Sequence, residues 1–291
     1  MNIGFIGQGW IGKNYANDFE ARGLDVVRYA LEEPYCRNKE KIRECDIVFI
    51  AVPTPTTKTG FDDSAVYSAV KLVGKGKTAV IKSTITPGTT ESIQKLNDDI
   101  FVLHSPEFLV ELTAAFDAAH PNRNIVGIPI DNKIYRKKAR EVLAVLPPAT
   151  YVKIMSSRDA EFIKYAGNSL LFSKVIFMNL LYDFVEEIGG DWEGIREALI
   201  HDPRIGVSHT EPVHKSGRGA GGHCFIKDFE TFREMYQEKV RDSLGSKILG
   251  ALVEKNIQLL TESNKDVALL EGVYGDLSKY RNNTSTREQQ P

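Results

Sequence analysis

The sequence is poor in cysteine, has no excess of either charge and contains no uninterrupted apolar run of membrane length. Each shortage excludes a class of protein. Its three cysteines, Cys36, Cys45 and Cys224, are too sparse and odd in number for a disulfide scaffold. They fit a reducing compartment, and a cytoplasmic location is expected. Thirty-seven basic residues against 39 acidic ones leave a formal charge of -2. No general basic surface awaits a phosphate backbone, so no nucleic-acid partner is expected. The most apolar stretch, 162–185, is interrupted by Lys164, Lys174 and Asp183. It reads as a buried helix, and no membrane partner is expected. The first seven residues lack the basic start and long apolar core of a signal peptide. What is present is ordinary globular composition, 42% hydrophobic and 26% charged over 291 residues, enough for two domains.

Strand and helix patterns alternate through the first half. Strands are expected at 3–6, 24–29, 46–52, 78–81, 100–103 and 125–128, with helices at 11–21, 64–73, 89–96 and 133–146. This alternation implies a parallel sheet with helices on both faces. After Pro147-Pro148 the character changes. A long helix is expected over 158–188, with Ser157 as N-cap and Gly189-Gly190 as its stop, then a helix over 192–200 capped by Asp191. Residues 202–222 read as a long loop rich in Gly, Pro, His and Ser, a length that is often functional. Helices resume over 229–260. The division expected is 1–150, 151–277 and a polar, disordered tail at 278–291.

Gly7-Gln8-Gly9-Trp10-Ile11-Gly12 fits G-x-G-x-x-G between a strand and a helix. Glycines permit a tight turn and close backbone approach, and the helix N-terminus suits a pyrophosphate. The fold class is therefore α/β, an N-terminal Rossmann-type parallel sheet followed by a mainly helical domain. The second strand of an NAD site ordinarily ends in an acidic residue that holds the ribose hydroxyls. Here Ala30 stands there, with Glu32 and Glu33 just beyond and Arg28 just before. NAD is the expected cofactor, with NADP the alternative if Arg28 turns back into the site.

The segment 217–228, Gly-Arg-Gly-Ala-Gly-Gly-His-Cys-Phe-Ile-Lys-Asp, places a thiol in a glycine-rich loop just before a helix. Basic neighbours and a helix start both favour the thiolate of Cys224. Cys45, opening an apolar strand, reads as an inert small hydrophobe. Glu107 and Glu111 are four apart and would share a helix face, either as a solvated acidic surface or as acid/base groups. Glu161, Lys164 and Asn168 also share a face, and a structural Glu161–Lys164 ion pair is the plain alternative to a functional Lys164. His201, His209, His214 and His223 match no metal-ligand spacing, and no metal is expected.

Taken together, these segments resemble the UDP-glucose/GDP-mannose dehydrogenase family. The matching stretches are the glycine turn, Val52-Pro53-Thr54-Pro55-Thr56, Lys82-Ser83-Thr84, Ser105-Pro106-Glu107-Phe108-Leu109, Pro121-Asn122-Arg123, Glu161/Lys164/Asn168, Asp202-Pro203-Arg204-Ile205-Gly206 and Gly221 to Asp228. The resemblance implies a four-electron oxidation of a nucleotide-sugar primary alcohol to a carboxylate, using two NAD. It makes Cys224 the nucleophile, Lys164 and Asn168 stabilisers of the substrate oxygen, and Asp228, Glu111 and Thr84 the groups that handle water. Glu107, Phe108, Leu109, Arg218, Gly221 and Gly222 would hold substrate. Gly7, Gln8, Gly9, Trp10, Ile11, Gly12, Val52, Pro53, Thr54 and Thr84 would contact the cofactor. It further implies a homodimer and a third, nucleotide-gripping domain that this length does not accommodate. Two alternatives stay open: a two-electron β-hydroxyacid dehydrogenase using Lys164 and Asn168 alone, and a non-catalytic dinucleotide-binding remnant.

Overall fold

The computed structural model describes residues 1–278, so the expected tail, from 279 on, lies outside the described residues. Four short strands, β1 (Ile3–Ile6), β3 (Ile47–Ile50), β6 (Thr78–Ile81) and β7 (Phe101–His104), are almost wholly buried. Such apolar runs without alternation suit strands covered on both faces. With β2 (Val26–Tyr29), β8 (Arg123–Ile128) and β9 (Tyr151–Ser156) they form one seven-stranded sheet, ordered β2-β1-β3-β6-β7-β8-β9. The first five strands are parallel; β8 runs antiparallel to β7, and β9 parallel to β8. The sheet is thus mostly, not wholly, parallel.

Helices fill the crossovers: α1 (Trp10–Ala21), α2 (Lys39–Ile42), α3 (Ser64–Val70), α4 (Thr89–Leu96), α5 (Ala114–Ala119) and α6 (Lys133–Val145). One apolar cluster joins α1 and α6 to one face through Phe5, Phe19, Phe49, Tyr135 and Val142. A second joins α2, α3 and α4 to the other through Ile42, Val66, Val70 and Ile93. Each sheet face thereby loses its water, which supplies most of the favourable free energy of this unit.

By their contacts the residues fall into two compact units, 1–55 with 62–164, and 56–61 with the residues from Tyr165 onward. The division falls inside the long helix α7 (Ser157–Glu187), not at Pro147-Pro148. The reason is β9, which pairs with β8 along its full length and so belongs to the sheet. As an edge strand it keeps Tyr151 and Val152 half exposed, and no buried apolar run announces it in the sequence.

The second unit contains the rest of α7, α8 (Trp192–Ile200), α9 (Gly222–Lys239), α10 (Ser243–Glu262) and α11 (Val267–Tyr274). Two small hairpins belong to it, β4 (Thr56–Thr57) with β5 (Gly60–Phe61) and β10 (Val213–His214) with β11 (Gly217–Arg218). Gly189, at φ +68, ends α7, and the Gly190 amide reaches back to the Val185 carbonyl at 2.9 Å. The core packs Phe172 on Phe229, rings 3.9 Å apart, among Ile176, Val253, Ile257 and Leu270. No helix among the described residues is long and apolar enough to cross a membrane.

Phe5, Phe19 and Phe49 form a ring triad with centroids 5.1 to 5.3 Å apart, all fully buried. Phe49→Ala should lower the unfolding free energy by about 3–5 kcal/mol, read from guanidinium unfolding, and a loss under about 1 kcal/mol would contradict this packing.

Candidate active site

The parallel register aligns Ile6, Ile50, Ile81 and His104 at the carboxyl ends of their strands. The loops that follow therefore open along one edge, and the crossovers change direction between β1 and β3. In open α/β sheets this switch point is where ligands bind. Gly7 takes φ +91, and a Cβ there would lie 2.3 Å from the Ala51 carbonyl oxygen. A Cβ on Gly12 would lie 1.9 Å from the Gly7 carbonyl oxygen. Both positions exclude any side chain. Gly9, the N-cap of α1, is the opposite: a Cβ there would meet nothing within 4 Å. No side chain caps this helix and its first turn holds no acid. The α1 amides thus face an open cradle suited to a pyrophosphate.

Neighbouring loops are stitched to this edge. Thr54 donates to the Thr84 carbonyl at 2.7 Å, and Ser83 to the Val52 carbonyl at 2.7 Å. Gln8 donates to the Gly7 carbonyl at 3.1 Å. Pro53 is exposed and Trp10 is 42% exposed, while Ile11 is half-buried. Arg28 does not point outward as a free cation. It forms a two-pronged pair with Glu20 at 2.9 and 2.6 Å and donates to Asn17 at 2.8 Å. Ala30 is buried, while Glu32 and Glu33 are exposed.

The first unit also buries charge beside this edge. Lys164, on α7, pairs with Glu107 at 2.6 Å, and both are nearly inaccessible. Glu107 further accepts from the Leu109 amide at 2.8 Å. Residues 105–110 form no regular element and 111–113 form a turn, so Glu107 and Glu111 do not share a helix face. Glu107 is buried in an ion pair; Glu111 is exposed. Lys82, which residue patterns alone did not single out, is 3% exposed and donates to both the carbonyl and the hydroxyl of Ser105. Its third side faces the Tyr15 ring at 4.3 Å. Burial pushes the Lys82 ammonium down to about 8, against the opposing pull of Glu107. Burial, reinforced by the Lys82 charge, pushes His104 down to about 3, so that imidazole is neutral. A lysine closing an otherwise apolar strand was the available signal for this cluster.

Glu161 has a different role from the ion pair with Lys164 weighed above. Its carboxylate accepts from the Gly88 amide at 2.5 Å and the Thr90 amide at 2.8 Å, at the start of α4. It anchors the helix that follows Thr84.

In the second unit Cys224 is exposed and is the third residue of α9. The helix starts two residues before the thiol, not after it, so Cys224 sits in the first turn. One turn on, Asp228 is 1% exposed and uses both oxygens. Asn168 donates to one at 2.6 Å and Lys227 to the other at 2.5 Å. Arg218 is turned onto α7, donating to Asn179 at 2.8 Å and Asp183 at 2.6 Å. Gly221 and Gly222 lie against Asp266, whose carboxylate accepts from the Gly222 amide at 2.7 Å. Asn256, Lys265 and Asp266 were not foreseen; they lie far along the chain from the loop they hold. Cys45 is buried, and burial pushes its thiol up to about 11, which fits an inert role.

A doubly covered, mostly parallel sheet with a glycine cradle at its switch point places the chain in the class of Rossmann-type dinucleotide-binding proteins. Comparison with known proteins narrows it. The NAD binding domain of the UDP-glucose/GDP-mannose dehydrogenase family matches residues 35–145, and the central domain of that family matches residues 158–258. The chain belongs to this family. A putative UDP-glucose 6-dehydrogenase of Bacillus subtilis (strain 168) is 32% identical over 69% of this chain and 48% of its own length. The UDP-glucose 6-dehydrogenase of Rickettsia conorii is 29% identical over 94% of this chain and 70% of its own. A UDP-glucose dehydrogenase structure from the archaeon Pyrobaculum islandicum superimposes with a TM-score of 0.73 at 26% identity, covering 90% of this chain and 70% of that one. The chain thus spans from about half to seven tenths of the length of these relatives.

Burial raises the Glu161 carboxyl to about 7 from its ordinary 4.5, although the Thr90 and Gly88 hydrogen bonds pull it down. The folded chain then holds a proton that the unfolded chain releases, so stability should fall as pH rises from about 4.5 to about 7. Unfolding midpoints across that window should decline, and Glu161→Gln should flatten the decline. The same substitution turns an amide donor toward a backbone N–H and should cost about 1–3 kcal/mol at pH 5. An unchanged slope in Glu161→Gln would remove Glu161 as its source.

Proposed function

We propose that this chain oxidises the primary alcohol of a nucleotide sugar of the UDP-glucose kind to the carboxylate, in two two-electron steps through Cys224. The observation that carries the reading is the exposed thiol in the first turn of α9, four residues before a buried Asp228 locked by Asn168 and Lys227. The names of the relatives supply the substrate class.

The first step converts alcohol to aldehyde with loss of a proton and a hydride. When bound, NAD supplies the hydride acceptor for both oxidations. Lys164, held by Glu107, stabilises the alkoxide, and Asn168, one turn along α7, donates to the same oxygen. In the second step the Cys224 thiolate adds to the aldehyde carbon and forms a thiohemiacetal. Loss of the second hydride leaves a thioester on sulfur. Water then attacks the carbonyl carbon, the C–S bond breaks, and the carboxylate and thiol are released. The balance is one alcohol, one water and two NAD consumed, with one carboxylate, two NADH and three protons formed. Asp228, Glu111 and Thr84 position or deprotonate that water. Glu107, Phe108 and Leu109 hold the sugar, while Gly221 and Gly222 let it approach closely; Arg218 acts by bracing their loop. The helix start favours the thiolate over the neutral thiol.

Gly7, Gln8, Gly9, Trp10, Ile11, Gly12, Val52, Pro53, Thr54 and Thr84 form the cofactor side of this reading. NAD is preferred to NADP because the Arg28 charge is already matched by Glu20. A homodimer fits the stripe of Phe177, Leu180 and Phe184 on one face of α7, continued by Ile188 just past its end, each between 43% and 63% exposed. A reducing, cytoplasmic setting suits three cysteines that form no disulfide.

A stoichiometric assay with UDP-glucose and NAD should yield two NADH per sugar consumed. Cys224→Ser should slow turnover by about 100-fold or more and leave material at the aldehyde or ester level. One NADH per sugar, or full turnover by Cys224→Ser, would overturn the thioester route.

A further inference from the structure

Besides the Arg218 side chain, the loop that leads to Cys224 is held through its backbone. Lys265 donates to the carbonyls of Gly217 and Gly219 at 3.3 and 3.0 Å. The Ser263 hydroxyl accepts from the Arg218 amide at 3.1 Å. Asn256 takes both groups of Ala220, accepting from its amide at 2.7 Å and donating to its carbonyl at 3.0 Å. Asp266 accepts from the Gly222 amide, the first of α9. Four side chains within residues 256–266 thus read six backbone groups between Gly217 and Gly222. Asp266 itself sits at φ +53, a left-handed conformation that asparagine and aspartate tolerate better than other residues.

Of these four only Asp266 brings a negative charge to the helix start. Its carboxylate lies on the first amide of α9, two residues before Cys224, where the helix end would otherwise favour a thiolate. The other titratable groups around that turn are His223, Lys227 and Asp228 on α9, His209 near Phe225, and Lys215 with Lys265 beside the glycine loop. Lys227 is matched by Asp228. Lys265 lies beside Asp266 and offsets part of its charge, but its ammonium is directed to the Gly217 and Gly219 carbonyls, so Asp266 is the acid placed directly on the amide end.

We propose that Asp266 is a positioning residue that fixes the Cys224 turn through the Gly222 amide and, by its charge, restrains the reactivity of the thiol. An exposed thiolate is the form that alkylates and oxidises, and Asp266 lowers its population in the resting chain. The catalytic meaning of this restraint rests on Cys224 being the nucleophile; the thiol chemistry itself does not.

The test is the rate of iodoacetamide labelling of Cys224 in the full chain, mapped by peptide mass between pH 6 and 9. Asp266→Asn keeps the acceptor for Gly222 and the backbone conformation but removes the charge. It should shift the labelling profile to lower pH and raise the rate at pH 7 about threefold or more. Asp266→Ala should raise the rate as well and also lower the melting temperature, because the loop loses its hydrogen bond. Cys36 is the internal control and should label at an unchanged rate. A wild-type profile for Asp266→Asn, or an equal acceleration at Cys36, would overturn the proposal. If the labelling shifts as stated while the chain oxidises no nucleotide sugar, the proposed reaction falls and the role of Asp266 stands.

Discussion

The sheet register is the constraint on which the dinucleotide edge depends. Because β1, β3, β6 and β7 are parallel and end side by side, the residues after each strand emerge at one level. Gly7, Val52, Lys82 and Ser105 are distant in sequence, yet each is the first or second residue past a strand end. Short crossover helices enforce this arrangement, since parallel neighbours cannot be joined by tight turns. The β8 reversal does not disturb it, because it comes after the four strands that matter.

Burial of charge is the second organising theme. Lys82, Glu107, Glu161 and Lys164 are each less than a tenth exposed. An isolated buried ion would cost several kcal/mol, so each must find partners. Lys164 and Glu107 pair with each other, and Lys82 finds the oxygens of Ser105 and a ring face. Glu161 takes two backbone amides at a helix start, which only partly offset a burial that raises its carboxyl to about 7. These arrangements leave little positional freedom to the loop that carries Thr84 or to the segment that carries Glu107.

What the sequence made legible followed from strong local patterns. The glycine turn, the apolar strands and the stop of α7 at Gly189-Gly190 are each dictated by a few adjacent residues. The edge strand β9 was missed because one side of it stays wet and its apolar content is diluted. The start of α9 was placed too late, because Gly222 and His223 are poor helix formers that the surrounding loop nonetheless holds in helical form. The partners of Arg28, Arg218 and Glu161 were illegible for another reason. Each is chosen by tertiary geometry among several acids and amides that the sequence offers equally.

The way the cysteine loop is gripped has a consequence for how this protein tolerates change. Contacts made to main-chain atoms need no particular chemistry from the gripped residue, but they do need room for the gripping side chain to come close. Here the grip is close enough to fix identity on both sides: a Cβ on Gly217 would lie 2.4 Å from the Ser263 hydroxyl and one on Gly221 2.1 Å from the Asp266 carboxylate, while Asn256, Ser263, Lys265 and Asp266 must keep both chemistry and reach. In this half of the molecule, heritable information about the loop is divided between its own glycines and a segment some forty residues downstream.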